Sequence, residues 1–180
     1  MNDDEFLSTA SVLNIPMNKK ILKASFKLMN NYINEHAKTL VIREDIHLPE
    51  GTEQEAIIRI NKRYIEKEKN AGYAPAHIVA REISSKGKVH YHMVLFVNGE
   101  KTESTYPHFE NMKKVIQNTV GPGGSVHYCN DGHRNGIMIH RDNPDLTDLH
   151  EAQRQVSYLA KTDQKEGVKG KTFFTSRIKR

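Results

Sequence analysis

Four stretches of this chain repeat apolar residues at three-and-four spacing, and several shorter ones carry alternating or continuous β-branched and aromatic residues. Over residues 17–36, Leu22, Phe26, Met29 and Ile33 share one side of a helix, with Lys19, Lys20, Lys23 and Lys27 elsewhere on it. Residues 40–48 abandon that rhythm for a strand-like run. Thr52 and Glu55 have the spacing of a capping box, opening a helix that carries Ile57, Ile60 and Tyr64 on one face and stops near Gly72. Between Ala76 and Val97 two β-rich segments flank Ser85-Lys86-Gly87, which predicts a hairpin. Pro107, the stripe Phe109, Met112, Ile116 and Val120, and the stop at Gly121-Pro122-Gly123-Gly124 mark a third helix. Residues 125–129 and 136–140 predict a second hairpin. A last helix is expected from Thr147 to Lys161, capped by Thr147 or Asp145.

This order predicts an α+β fold, a central antiparallel sheet of about five strands with helices packed on its faces. Residues 1–39 read as a helical N-terminal extension and residues 40–180 as the main domain, ending in a basic tail. At 180 residues the chain can bury a core of ordinary size. No apolar run approaches the roughly 20 residues of a membrane helix. The acidic start, Met1-Asn2-Asp3-Asp4-Glu5, is unlike a secretory signal, and the single cysteine, Cys129, fits a reducing compartment, so a cytoplasmic location is expected.

Net charge is +5, and residues 161–180 hold the excess: Lys161, Lys165, Lys169, Lys171, Arg177, Lys179 and Arg180 face only Asp163 and Glu166. Such an end suits phosphate-backbone contact, and equally a solvated C-terminus.

Side chains two apart in a strand point the same way, so His90 and His92 present two imidazoles side by side while Tyr91 points away. That geometry suits metal ligands, and it also suits two half-buried histidines in a sheet. An open metal site usually takes a third protein ligand. Glu82 lies opposite His90 or His92 if the intervening turn holds an odd number of residues, and opposite Tyr91 if the turn holds two. His77, Glu44, Asp45 and His47 are weaker substitutes.

At 100° per residue, Leu149, Ala152, Val156, Leu159 and Ala160 share one sector of the last helix, and Tyr158 lies about 150° from its centre. Arg154 and Lys161, at i−4 and i+3, share the side of Tyr158, and Lys165 joins them if the helix continues. A phenol between cations is arranged to meet a phosphate as nucleophile, and the same placement suits a surface tyrosine whose hydroxyl meets water. Tyr64 and Lys67 repeat the Tyr-x-x-Lys spacing, but Tyr64 belongs to an apolar stripe and reads as core.

His90-Tyr91-His92 on a strand, followed by Tyr158-Leu159-Ala160-Lys161 on a later helix, resembles the HUH endonucleases. Residues 80–84, 90–96, 158–165 and 172–177 look more closely like the YagK/YfjJ group of inovirus-type replication proteins of phage and prophage elements, with a likeness covering Leu40 to Arg180. The resemblance implies that His90 and His92 bind a metal, with Glu82 in the third place. It implies Tyr158 as nucleophile and Lys161 as its helper. Tyr91 departs from the family's usual aliphatic residue, and there is one motif tyrosine rather than two.

Further implications are site-specific nicking of single-stranded DNA at an origin or hairpin through a 5′-phosphotyrosine and a divalent cofactor, Mg²⁺ or Mn²⁺. Rolling-circle replication in a bacterial host, with any unwinding supplied by a separate helicase, would be the setting. Arg154, Lys165, Lys169, Lys171 and Arg177 are the expected DNA contacts. Two rival expectations stand beside this one. The first is a non-catalytic single-strand binding module using sheet-face aromatics such as Tyr91 or Phe96. The second is a DNA-binding regulator whose basic N-terminal helix enters a groove.

Overall fold

Asn18 starts the first helix: its side-chain oxygen accepts from the backbone N–H of Lys20 and Ile21 at 3.0 and 3.2 Å, satisfying two donors that a helix start leaves open. In this computed structural model, which describes residues 16–84, 86–129, 136–162 and 172–176, that helix, α1, spans Lys19–Glu35. The order continues β1 (Lys38–His47), α2 (Gln54–Asn70), β2 (Ala76–Ile83), β3 (Val89–Asn98), α3 (Tyr106–Val120), β4 (Ser125–Tyr128), β5 (Ile137–His140), α4 (Thr147–Tyr158) and β6 (Phe173–Thr175). The fold is the expected α+β arrangement. The sheet is antiparallel, in the order β4-β1-β3-β2-β6, with β5 also paired to β1.

β3 is the centre, and Tyr91 to Val97 are all buried because helices cover both faces of the sheet. On one face α1 and α4 pack Leu22, Phe26, Met29, Ala152, Val156 and Leu159 against Val41, Ile78, Val94 and Phe96. On the other, α2 and α3 pack Ile57, Ile60, Tyr64, Met112 and Ile116 against Ile42, Val79, Met93 and Leu95. Truncating one of the fully buried side chains, Phe96 for example, costs about 3 to 5 kcal/mol. The segment read as an N-terminal extension therefore supplies a core layer. Tyr91 and Phe96, 3% and 0% exposed, belong to these cores, so neither offers its ring to a nucleic-acid base.

Several local expectations are corrected. Thr52 does not cap α2: its hydroxyl donates to the Pro49 carbonyl at 2.6 Å, and Glu53 stands at the cap without a side-chain hydrogen bond. Helix α4 ends at Tyr158 rather than Lys161, and the Asp145 carboxylate accepts from the Thr147 N–H at 2.9 Å at its start. Residues 125–128 and 137–140 are not a hairpin. Both pair antiparallel to β1, with Glu44–His47 and with Lys38–Val41 respectively, so they run the same way along one edge of β1 as an interrupted strand. Part of the expected tail, Phe173–Thr175, is an edge strand against β2. Among the described residues no helix is long and apolar enough to cross a membrane.

Candidate metal and phosphate site

The turn between β2 and β3 decides which side chains meet. Ser84 N–H donates to the Lys88 carbonyl at 2.9 Å and Gly87 N–H to the Ser84 carbonyl at 2.8 Å, with Gly87 at φ +74°, where a side chain would strain the backbone. Ile83 pairs with Val89, which leaves the odd count of five residues, 84–88, between the strands and sets Glu82 opposite His90. From β1, His47 pairs with His90 and Asp45 with His92. Two cross-strand rows result, His47–His90–Glu82 and Asp45–His92–Ala80, on the sheet face that α1 and α4 cover.

Glu82, His90 and His92 each offer a ligand atom, all within 4.8 Å of one another. The Nε2 atoms of His92 and His90 lie 2.9 and 3.4 Å from the same Glu82 oxygen. Ligands about 2.1 Å from a shared cation stand roughly 3.0 to 3.4 Å apart along the edges of an octahedron or tetrahedron, so these separations fit a coordination shell. The group is nearly closed to solvent: Glu82 and His92 are 3% and 5% exposed. A buried Glu82–His90–His92 group that could hold a metal ion is therefore present.

Asp45 fixes the His92 ring. Its carboxylate bonds Nδ1, which leaves Nε2 to face Glu82, the arrangement by which a carboxylate orients a ligating imidazole. Burial would raise the Asp45 carboxyl, but the His92 hydrogen bond and charge, then Arg43 and the Cys129 thiol, hold it below its ordinary value. For His92, burial works to lower the imidazole, and bonding to Asp45 and Glu82 overcomes it and raises it. His47 stacks on His90 at 5.8 Å, and its own imidazole is pushed down, by burial first and by the neighbouring His90 second.

Tyr158 closes this group from above. The apolar stripe of α4 packs onto the sheet, and Tyr158, outside that stripe and half-buried, is carried to the ligands. Its ring stands edge-on to His92, with centroids 5.7 Å apart at 87°. The Arg43 guanidinium lies 3.9 Å and the Lys161 ammonium 4.6 Å from the centre of that ring. Arg43 also reaches Asp45 at 3.8 Å, which links the phenol to the carboxylate that orients His92 through one guanidinium. Arg154, expected to flank the phenol, is forked onto Glu151 at 2.9 and 2.7 Å. Lys165, Lys169, Lys171 and Arg177 lie outside the described residues.

The substitutes for the third ligand separate. Asp45 and His47 stand beside the ligand group, whereas Glu44 points to the opposite face. His77 sits at the far end of β2 between Ser176 Oγ at 2.8 Å and the Asn61 amide at 2.7 Å, and burial pushes it down to about 4. Tyr64 is fully buried, as its stripe implied. Arg43 had no role in the sequence reading, and its signal was the alternation Arg43, Asp45, His47 within a strand otherwise rich in apolar residues.

No family model, curated protein or solved structure matches this chain.

Proposed function

We propose that the protein is a metal-dependent nicking endonuclease and strand transferase for single-stranded DNA, with Tyr158 as its nucleophile. The observation that carries this reading is the placement of Tyr158 5.7 Å from His92, above a carboxylate and two imidazoles whose spacing fits a metal, with Arg43 and Lys161 on its ring. A divalent cation held by Glu82, His90 and His92, Mg²⁺ or Mn²⁺, would polarise a phosphate oxygen.

The chain's own residues supply the rest. Tyr158 is held by its helix and by two cations near the point where a phosphate would meet the ligands. Its oxygen forms the new bond to phosphorus as the bond to the 3′-oxygen breaks. The phenol loses its proton and the departing 3′-hydroxyl gains one. Because the phosphotyrosine keeps the energy of the broken diester, a second 3′-hydroxyl can reverse the step and join strands. Arg43 and Lys161 offset the charge that gathers there. Asp45 keeps His92 in its ligating tautomer. The resemblance to HUH replication proteins supports the same assignment and suggests initiation of rolling-circle replication.

The test is direct. With labelled single-stranded oligonucleotides and Mn²⁺, the protein should form a covalent adduct on a denaturing gel, and mass spectrometry should place it on the peptide containing Tyr158. His90→Ala with His92→Ala should abolish the adduct while keeping salt-sensitive binding, which phosphate contacts supply. Parent-rate cleavage by that double variant would make the histidines structural and end the metal reading.

A further inference from the structure

We propose that the solvent face of α1 is a track for the phosphate backbone of the single strand, leading away from Tyr158; this rests on the nucleic-acid reading of the site above. The face carries Lys19, Lys20, Lys23 and Lys27, all exposed, on a helix whose other side is buried through Leu22, Phe26, Met29 and Ile33. No acidic residue occurs from Pro16 to Asn34.

Helix physics disfavours this arrangement. Lys19 with Lys23, Lys20 with Lys23, and Lys23 with Lys27 stand at the i,i+3 and i,i+4 spacings where like charges repel. The first turn has no acid and holds two lysines at the positive end of the helix dipole. Charge on α2 is mixed in sign: Arg59, Lys62, Arg63, Lys67 and Lys69 are interspersed with Glu55 and Glu66, the pattern of a solvated face. The row on α1 is one-signed within its own helix and lies opposite the buried face, and a polyanion laid along it meets the positive end of the helix dipole as well as the lysines.

Its position joins it to the site. Asn18 N–H donates to the Ala160 carbonyl at 2.6 Å, Thr162 N–H to the Pro16 carbonyl at 3.0 Å, and Met17 bridges Lys161. The start of α1 is thus tied to the residues that follow Tyr158, and Lys161 itself is on the tyrosine ring. From there the cations continue through Lys19 and Lys20 to Lys27, roughly 12 Å along the axis at 1.5 Å per residue. One turn further, Asn31 lines a cleft of about 530 Å³ between α1, α2 and the start of β2. A strand whose scissile phosphate lies at Tyr158 has a continuous row of cations to follow in that direction.

The experiment measures oligonucleotide affinity against salt in EDTA, so no cleavage is involved. The variant carries Lys19→Gln, Lys20→Gln, Lys23→Gln and Lys27→Gln. A control removes four charges from the opposite sheet face through Lys62→Gln, Lys67→Gln, Lys113→Gln and Lys114→Gln. At about 0.7 per phosphate contacted on a single strand, the slope of log affinity on log salt should become shallower by up to about 3 in the α1 variant, and should hold in the control. Arginine at the same four positions should keep the parent slope, and circular dichroism melting of the glutamine variant should stay close to the parent because all four side chains are exposed. An unchanged slope, an equal change in the control, or a loss confined to duplex DNA would overturn the track. Absence of a Tyr158 adduct in the parent would instead count against the nicking reading, and this binding measurement does not depend on it.

Discussion

Asp45 gathers the His92 ring, the Arg43 guanidinium and the Cys129 thiol on one carboxylate, so changing it reaches the ligands and the phenol together. Asp45→Asn should keep the fold but weaken Mn²⁺ binding by about 10- to 100-fold in calorimetry, the usual effect of disturbing the partner of a ligating histidine. Unchanged affinity would make Asp45 a bystander. The two tyrosines of the repeated spacing should fail differently. Tyr158→Phe removes only a hydroxyl, so it should abolish the adduct while leaving metal binding, oligonucleotide binding and melting intact. Tyr64 is fully buried and its hydroxyl has no hydrogen-bond partner among the described residues, so Tyr64→Phe should leave stability equal or higher, whereas Tyr64→Ala should cost about 3 to 5 kcal/mol. An adduct that survives Tyr158→Phe would overturn the nucleophile.

At the scale of elements, what could be read in the sequence depended on periodicity. The stripes of α1, α2, α3 and α4 announced themselves because each buries one face. His90 and His92 could be placed on one face from their spacing alone, since a strand alternates. Whether Glu82 joined them hung on the number of residues in a turn, which the chain does not print. Arg43 was hidden, and Asp45 was read only as a substitute ligand, for a related reason: their approach to Tyr158 and His92 follows from the pairing of β1 with β3 and the docking of α4, long-range registers that no local pattern encodes.

β6 was missed because three residues carry no period, and basic neighbours made them look like tail. Its pairing predicts an effect that charge does not. Phe173 packs into one core and Phe174 into the other, and Ser176 bonds His77, so deleting residues 172–180 should lower the melting temperature. Glutamine at Lys165, Lys169, Lys171 and Arg177 should leave melting unchanged while flattening the salt dependence of binding. If the deletion melts with the parent, β6 adds nothing to the sheet.

For the molecule as a whole, the sheet face opposite the Glu82–His90–His92 group sets a dependence of stability on pH. Glu44 is completely buried under α2 and α3 with neither carboxylate oxygen hydrogen-bonded among the described residues, and Glu68, equally buried, faces the same interior, bonded to His108 at 2.5 Å and Asn111 at 2.9 Å. Burial first, and repulsion from Glu68 second, push Glu44 up to about 8. Its proton is bound more tightly folded than unfolded, so its contribution is complete below the ordinary carboxyl value and is lost as pH rises through about 8. His77, lowered to about 4, acts oppositely, adding stability as pH rises from about 4 to its ordinary value of 6.5 and nothing above it. The two offset each other in mildly acidic solution, which leaves pH 6.5 to 8 as the window in which Glu44 shows. His92, raised by its carboxylate partners, loses stability in the same direction there, so the parent in EDTA should fall in stability across the window. Glu44→Gln keeps the shape and removes the titration. It should reduce the fall by up to about 1.4 kcal/mol per pH unit, leaving only the share of His92, as read by urea unfolding at pH 6.5, 7.25 and 8. A variant whose stability falls as steeply as the parent's would mean that Glu44 is already ionised in the fold, and that its burial is relieved by a partner the described side chains do not provide.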